Sequence, residues 1–301
     1  MEHNRIVPVL ALVLAAACIV MTLILISVSV NMSYLPEKSV DDIIAYLDSG
    51  DISIDRELIT ARRQSASVYV CDSPEYNTTV AELLDGGSVR SVYATPEGEV
   101  LIMSGGARLE FGDSFAFRYY RSGAASESPA GFAPSGMEIS DAKREDVSAT
   151  VVRFLDRGSR EFDELNVETA VETVWESGGR YYALCSRSID GIEIAGNLVL
   201  CTVEGDAVTE AYGTWCFLTP AETYSAQLSD LLNILFNVKK DLGGRENAEE
   251  DVTVTAVQLC YSLYFYGEEE SFCLIPCWQI VTDTAGELIY NAIDSTLYTV
   301  K

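Results

Sequence analysis

Apolar positions change period several times along the chain, and each change marks an element. From Ile6 to Val30 the sequence reads IVPVLALVLAAACIVMTLILISVSV, about twenty-five residues without a charge, and a helix needs roughly twenty to cross a hydrocarbon core. The run predicts a membrane-spanning helix, because a cleaved signal peptide would have a shorter apolar stretch ending in a small-residue cleavage site. Farther on, SVDDIIAYLDSG keeps Val40, Ile43, Ile44 and Leu47 at helical spacing, with Gly50 where a helix would end. Runs of period two follow: ASVYVC to Cys71, SVRSVYAT, GEVLIMS after the Pro96-Glu97-Gly98 turn, ARLEF, and FAFRYY to Tyr120. Their turn spacing predicts an antiparallel sheet, with a small helix over 79–84 crossing it.

Residues 122–136, SGAASESPAGFAPSG, have no periodicity and read as a linker. The plan then repeats. Ser140 can cap a helix whose Val147, Val151, Phe154 and Leu155 share one face. VETAVETVW, RYYALCSR, NLVLCTV and AVTEAYGTW alternate like strands, punctuated by Gly178-Gly179, Asp190-Gly191 and Glu204-Gly205. Thr219-Pro220-Ala221-Glu222 supplies an N-cap, a proline at the first helical position and a glutamate at the third, so a helix is expected there, lined by Leu228, Leu231, Leu232 and Leu235. VTVTAVQLCYSLYFYG, FCLIPCWQIVTD and ELIYNA close the chain as strands.

The expected fold class is therefore α+β: an N-terminal transmembrane helix followed by two tandem domains of antiparallel sheet with packed helices. The divisions are a tail over 1–5, an anchor over 6–30, a first domain over 31–121, a linker over 122–138 and a second domain over 139–301. Arg5 before the anchor, against Glu37, Asp41 and Asp42 after it, places the N-terminus in the cytoplasm and the domains outside. The expected location is thus the cell membrane, crossed once.

Charge narrows the partners. Removing Glu2 and Arg5 leaves 45 acidic and 19 basic residues in the outer part, a net charge of −26. Such a field repels nucleic acid, so none is expected as a partner, and it favours cationic ones. Seven cysteines lie beyond the anchor, an odd number, so at least one stays outside any intramolecular disulfide framework. Cys273 and Cys277, four apart in a strand, would stand about 13 Å from each other, too far for a disulfide. His3 is the only histidine, and it precedes the anchor. The outer part therefore lacks the base of a Ser-His or Cys-His pair and any histidine metal ligand. No glycine-rich phosphate loop or nucleophile elbow occurs. A carboxylate pair remains open as hydrolase chemistry, but the expectation is a protein without catalytic residues, cofactor or metal. Two candidate surfaces stand out. Ala11, Ala15, Cys18, Thr22 and Ser29 fall on one face of the anchor and would permit close helix packing in lipid. Tyr264, Tyr266 and Trp278 belong to an aromatic cluster near the C-terminus that could dock a partner.

Several of these segments are similar to a known family. The apolar opening, SVDDIIAYLDSGDISIDRELI, RYYALCSRSIDGIEIAGNLVLCTVEGDAVTEAYGTW and LIPCWQIVTDTAGELIYNAI together resemble YycI and, more distantly, YycH, membrane-anchored regulators of a sensor histidine kinase in Gram-positive bacteria. The closing pattern, Pro276 and Trp278 leading a strand, then Gly286 and Tyr290-Asn291-Ala292, also looks like the strand-turn-strand of PepSY-type domains. The resemblance implies an extracytoplasmic, non-enzymatic pair of domains that modulates a two-component sensor histidine kinase or another envelope membrane protein through protein contacts, partly between membrane helices, with a YycH-like co-regulator as a further partner. A sensor of peptides or cell-wall fragments is the alternative. A small-molecule ligand is not specified.

Overall fold

The structure is a computed structural model that describes residues 21, 35–60, 64–71, 76–112, 115–123, 139–158, 166–217, 220–243, 251–265 and 272–298. Strands dominate it. Fifteen are assigned, against four α-helices, among the described residues. In chain order they are α1 (Glu37–Asp48), β1 (Ile52–Ile54), β2 (Ser65–Cys71), α2 (Tyr76–Asp85), β3 (Val89–Thr95), β4 (Gly98–Met103), β5 (Arg108–Gly112), β6 (Ala116–Tyr120), α3 (Asp141–Arg157), β7 (Val167–Ser177), β8 (Arg180–Ile189), β9 (Ile192–Glu204), β10 (Ala207–Thr214), β11 (Pro220–Gln227), α4 (Leu231–Gly243), β12 (Val252–Phe265), β13 (Phe272–Thr282), β14 (Glu287–Asn291) and β15 (Leu297–Tyr298).

The expected fold class is corrected by these pairings. The strands join into one large mixed sheet, in which β12 runs parallel to both β1 and β9. Hairpin-length turns reveal antiparallel neighbours, but they carry no signal for strands that meet across many residues of chain, and this is where the parallel pairs arise. No helix among the described residues is long and apolar enough to cross a membrane. The anchor over 6–30 lies outside the described residues except for Met21, and the linker over 122–138 does so beyond Gly123.

The chain separates into two compact units, neither continuous in sequence. One gathers 1–66, 227–258 and 278–301, the other 67–226 and 259–277.

In the second unit a row of directly opposed residues crosses seven strands: Leu101, Leu109, Tyr119, Ala211, Cys201, Ala183 and Val174. Every one is buried. Because side chains in a strand point alternately to the two faces, this row fixes one face as core. Helices α2 and α3 pack there through Val80, Ala81 and Leu84, and through Val147, Val151, Phe154 and Leu155. The Ser140 hydroxyl caps α3 by accepting from the Lys143 N–H at 3.4 Å. At Gly158, just past the end of α3, an added Cβ would lie 2.5 Å from the Phe217 ring.

The first unit pairs α1 with α4. Val40, Ile43 and Leu47 of α1 are buried, as are Leu231, Ile234, Leu235, Val238 and Leu242 of α4. Tyr46 stacks on Phe236 with ring centroids 4.9 Å apart, and Lys239 Nζ lies 4.1 Å from the centre of the Tyr46 ring while donating to the Tyr46 carbonyl and, at 2.6 Å, to Ser49 Oγ.

The helix expected from Thr219-Pro220-Ala221-Glu222 is instead β11, which pairs with β2, and the helix starts only at Leu231. A capping box contributes about 1 kcal/mol, which a run of ladder bonds along a Thr- and Tyr-containing strand outweighs.

At the β13–β14 turn, Asp283 Oδ1 accepts the Thr253 N–H at 2.8 Å, and the Asp283 N–H donates to the Thr253 carbonyl at 3.0 Å. The backbone bond from Thr253 holds the Asp283 carboxyl below its ordinary range. A depressed carboxyl contributes stability that is present above the unfolded value of about 3.9 and is lost as pH falls through the folded value. Asp283→Asn is therefore expected to lower the urea midpoint at pH 7 and to narrow the difference at pH 3. An equal loss at both pH values would show that the carboxylate charge plays no part.

Candidate functional site

The face of the second unit's sheet that turns away from α2 and α3 is partly exposed across β3 to β6, whereas Leu200, Thr202 and Glu210 are buried on it at β9 and β10. Its neighbouring positions, read across β3, β4, β5, β6 and β10, are Tyr93, Val100, Glu110, Arg118 and Tyr212. Together with the β3–β4 turn and Gly196, Leu198, Gly213 and Thr214, four of them (all but Tyr93) line a groove of about 830 Å³. The period-two alternation that buries Leu109 and Tyr119 on one face necessarily delivers Glu110, Arg118 and Tyr120 to the other.

Arg118 organises the groove. Its guanidinium carbon lies 5.8 Å from the Tyr120 ring centre and 5.9 Å from that of Tyr212, within cation–π reach of both. Arg118 Nη1 is 4.0 Å from Glu110 Oε2, and Arg108 Nη2 is 2.6 Å from Glu110 Oε1. Both arginines are well exposed, so these ion pairs set orientation more than stability. Burial, followed by the negative charge of Glu210, raises the Tyr212 phenol and keeps it a neutral hydrogen-bonding group. At the far side Asn77 Nδ2 donates to Glu99 Oε2 at 2.9 Å.

Chemically, the groove offers the Tyr212 ring, a delocalised cation within reach of that ring and of Tyr120, and two carboxylates, Glu99 and Glu110, already engaged by donors. A general acid of a carboxylate pair needs apolar surroundings that retain its proton. Glu110 instead faces two guanidinium groups. Two of the thiols are shifted away from reactivity. Burial, with Cys185 beside it, pushes the Cys201 thiol well above the ordinary value, and burial raises Cys273; a nucleophilic cysteine needs the opposite shift. None of the six cysteines whose side chains are described is in a disulfide. No cluster of potential metal ligands occurs among the described residues.

The residues singled out in the sequence fall elsewhere. Ala11, Ala15, Cys18, Thr22, Ser29 and Tyr266 lie outside the described residues. Tyr264 is 43% exposed on β12. Trp278 is buried beside Leu35, Gln64 and Leu231, in the other compact unit. The groove residues escaped the sequence reading. Alternation in ARLEF and FAFRYY shows that Glu110 and Arg118 face outward, but the strand that brings Tyr212 beside them lies about ninety residues later in the chain.

No family model matches the chain, and neither does any curated protein. Among solved structures, it is similar to an uncharacterized protein from Eubacterium rectale ATCC 33656, known from a crystal structure at 1.45 Å, with 13% sequence identity over 83% of this chain and 90% of that one and a TM-score of 0.44.

Proposed function

We propose that this chain is a non-enzymatic regulator that binds a protein partner in the cell envelope, and that the partner is a two-component sensor histidine kinase. The observation that carries the binding role is the groove on the second unit's sheet, where Arg118 lies within cation–π reach of both Tyr212 and the adjacent Tyr120. Tyrosine and arginine are the residue types enriched where protein interfaces concentrate their binding energy. The groove's carboxylates and the raised thiols favour recognition over bond-making. The kinase is suggested by the sequence likeness to YycI and YycH. The uncharged run over 6–30 supports a membrane location.

The test uses the full chain co-reconstituted into vesicles with each sensor histidine kinase of the source organism in turn, with ATP-dependent autophosphorylation as readout. One kinase should change its rate, and Arg118→Ala and Tyr212→Ala should each weaken that effect, as truncation at an interface centre costs on the order of 2 kcal/mol or more. No response from any kinase would remove the kinase. A response untouched by both substitutions would remove the groove.

A further inference from the structure

β3 is the end strand of the sheet in the second unit. Among the described residues it pairs only with β4. Val92 is 49% exposed and Tyr93 57%, although they point to opposite faces, so among the described residues neither side chain is covered. Such an edge presents a row of backbone donors and acceptors to any extended chain, and proteins normally blunt it with lysine, proline, a bulge or an inward charge. Here the register shift lies at the start, between Val89 and Ser91, and Pro96 follows the strand. Ser91 to Thr95, SVYAT, carries none of these devices.

The surroundings of the edge select its occupant. Glu82 accepts the Val89 N–H at 3.2 Å, Asp85 lies against Gly87 just before the strand, Glu97 sits in the turn after it, and Glu99 stands opposite Ala94. Arg90 is the one basic residue within the strand. A second copy of this chain would bring the same acids, and a net charge of −26, against them. An extended segment with alternating basic and apolar residues would satisfy the backbone, cover Val92 or Tyr93 and lie in a favourable field. We propose that β3 is a docking edge where a positively charged, extended segment of a partner protein adds to the sheet as a further strand. This rests on the binding role proposed above and names the form of the partner's segment.

The probe is an eight-residue peptide of alternating lysine and valine, added to the full chain and followed by amide hydrogen exchange. It should slow exchange at Ser91–Thr95 by about tenfold or more. The alternating glutamate and valine peptide should not, and V92K and Y93K should each abolish the protection. Equal protection by the acidic peptide, none from either peptide, or protection without peptide that rises with protein concentration would each overturn the proposal, the last by making a second copy the occupant. If the kinase response survives V92K and Y93K but is lost in R118A, the edge fails while the regulatory reading stands.

Discussion

Gly213→Ala should be among the most damaging single-methyl changes in this protein. Gly213 has φ +149°, and a Cβ there would lie 2.1 Å from the Leu198 carbonyl oxygen and 2.9 Å from Val199 Cα. Both are backbone atoms of the adjacent β9, so no side chain can swing aside. The backbone conformation alone costs a non-glycine residue about 1–3 kcal/mol. Relieving the clash must also displace β9 from β10 next to Cys201 and Ala211, in the buried row that holds the seven strands together. A loss beyond that range is a large part of a typical total stability of about 5–15 kcal/mol. The internal control is Gly178→Ala. Gly178 also has positive φ, at +62°, but nothing lies within 4 Å of its added Cβ. It should cost only the left-handed conformation, about 1–2 kcal/mol. Urea midpoints of the two variants decide the matter, and equal losses would mean that β9 and β10 are not pressed together as described.

The same site shows how far the sequence could be read. Alternation located most strands, because one buried face imposes a period of two, and the α3 face was legible residue by residue from Val147 to Leu155. Pairing was not. Nothing local to Gly213 announces that Leu198 will press on it. Nothing in VTVTAV reveals that β12 lies parallel to β1, two hundred residues earlier. The candidate site was hidden for the same reason, since Arg118 becomes a centre only when β10 brings Tyr212 alongside. Where local chemistry was strongest, at Thr219-Pro220-Ala221-Glu222, it pointed to the wrong element, because a cap's small energy cannot compete with strand pairing decided elsewhere.

Trp215→Ala should lower stability by at least the roughly 3–5 kcal/mol typical of truncating a buried tryptophan, and part of the loss should depend on Arg187. Trp215 and Arg187 are each about 1% exposed. The guanidinium carbon lies 5.3 Å from the Trp215 ring centre and 6.0 Å from that of Phe217, and Arg187 Nη1 donates to the Cys216 carbonyl at 3.0 Å. With its amide turned to suit both partners, Asn197 ties down the same segment, donating to the Thr214 carbonyl at 3.1 Å and accepting from the Cys216 N–H at 3.2 Å. Buried cations need such company, and a desolvated cation–π contact supplies about 2 kcal/mol. Removing the indole therefore strips a buried charge of one aromatic wall as well as opening a cavity. Arg187→Met takes the charge away while keeping most of the volume, so Trp215→Ala should cost less in that background than in the native chain. A double-mutant cycle on urea midpoints measures the difference. Simple additivity would show that the ring serves only as core volume. A clear coupling would identify Arg187 as a cation committed to the fold, unlike Arg118, whose side chain is 41% exposed within cation–π reach of Tyr120 and Tyr212.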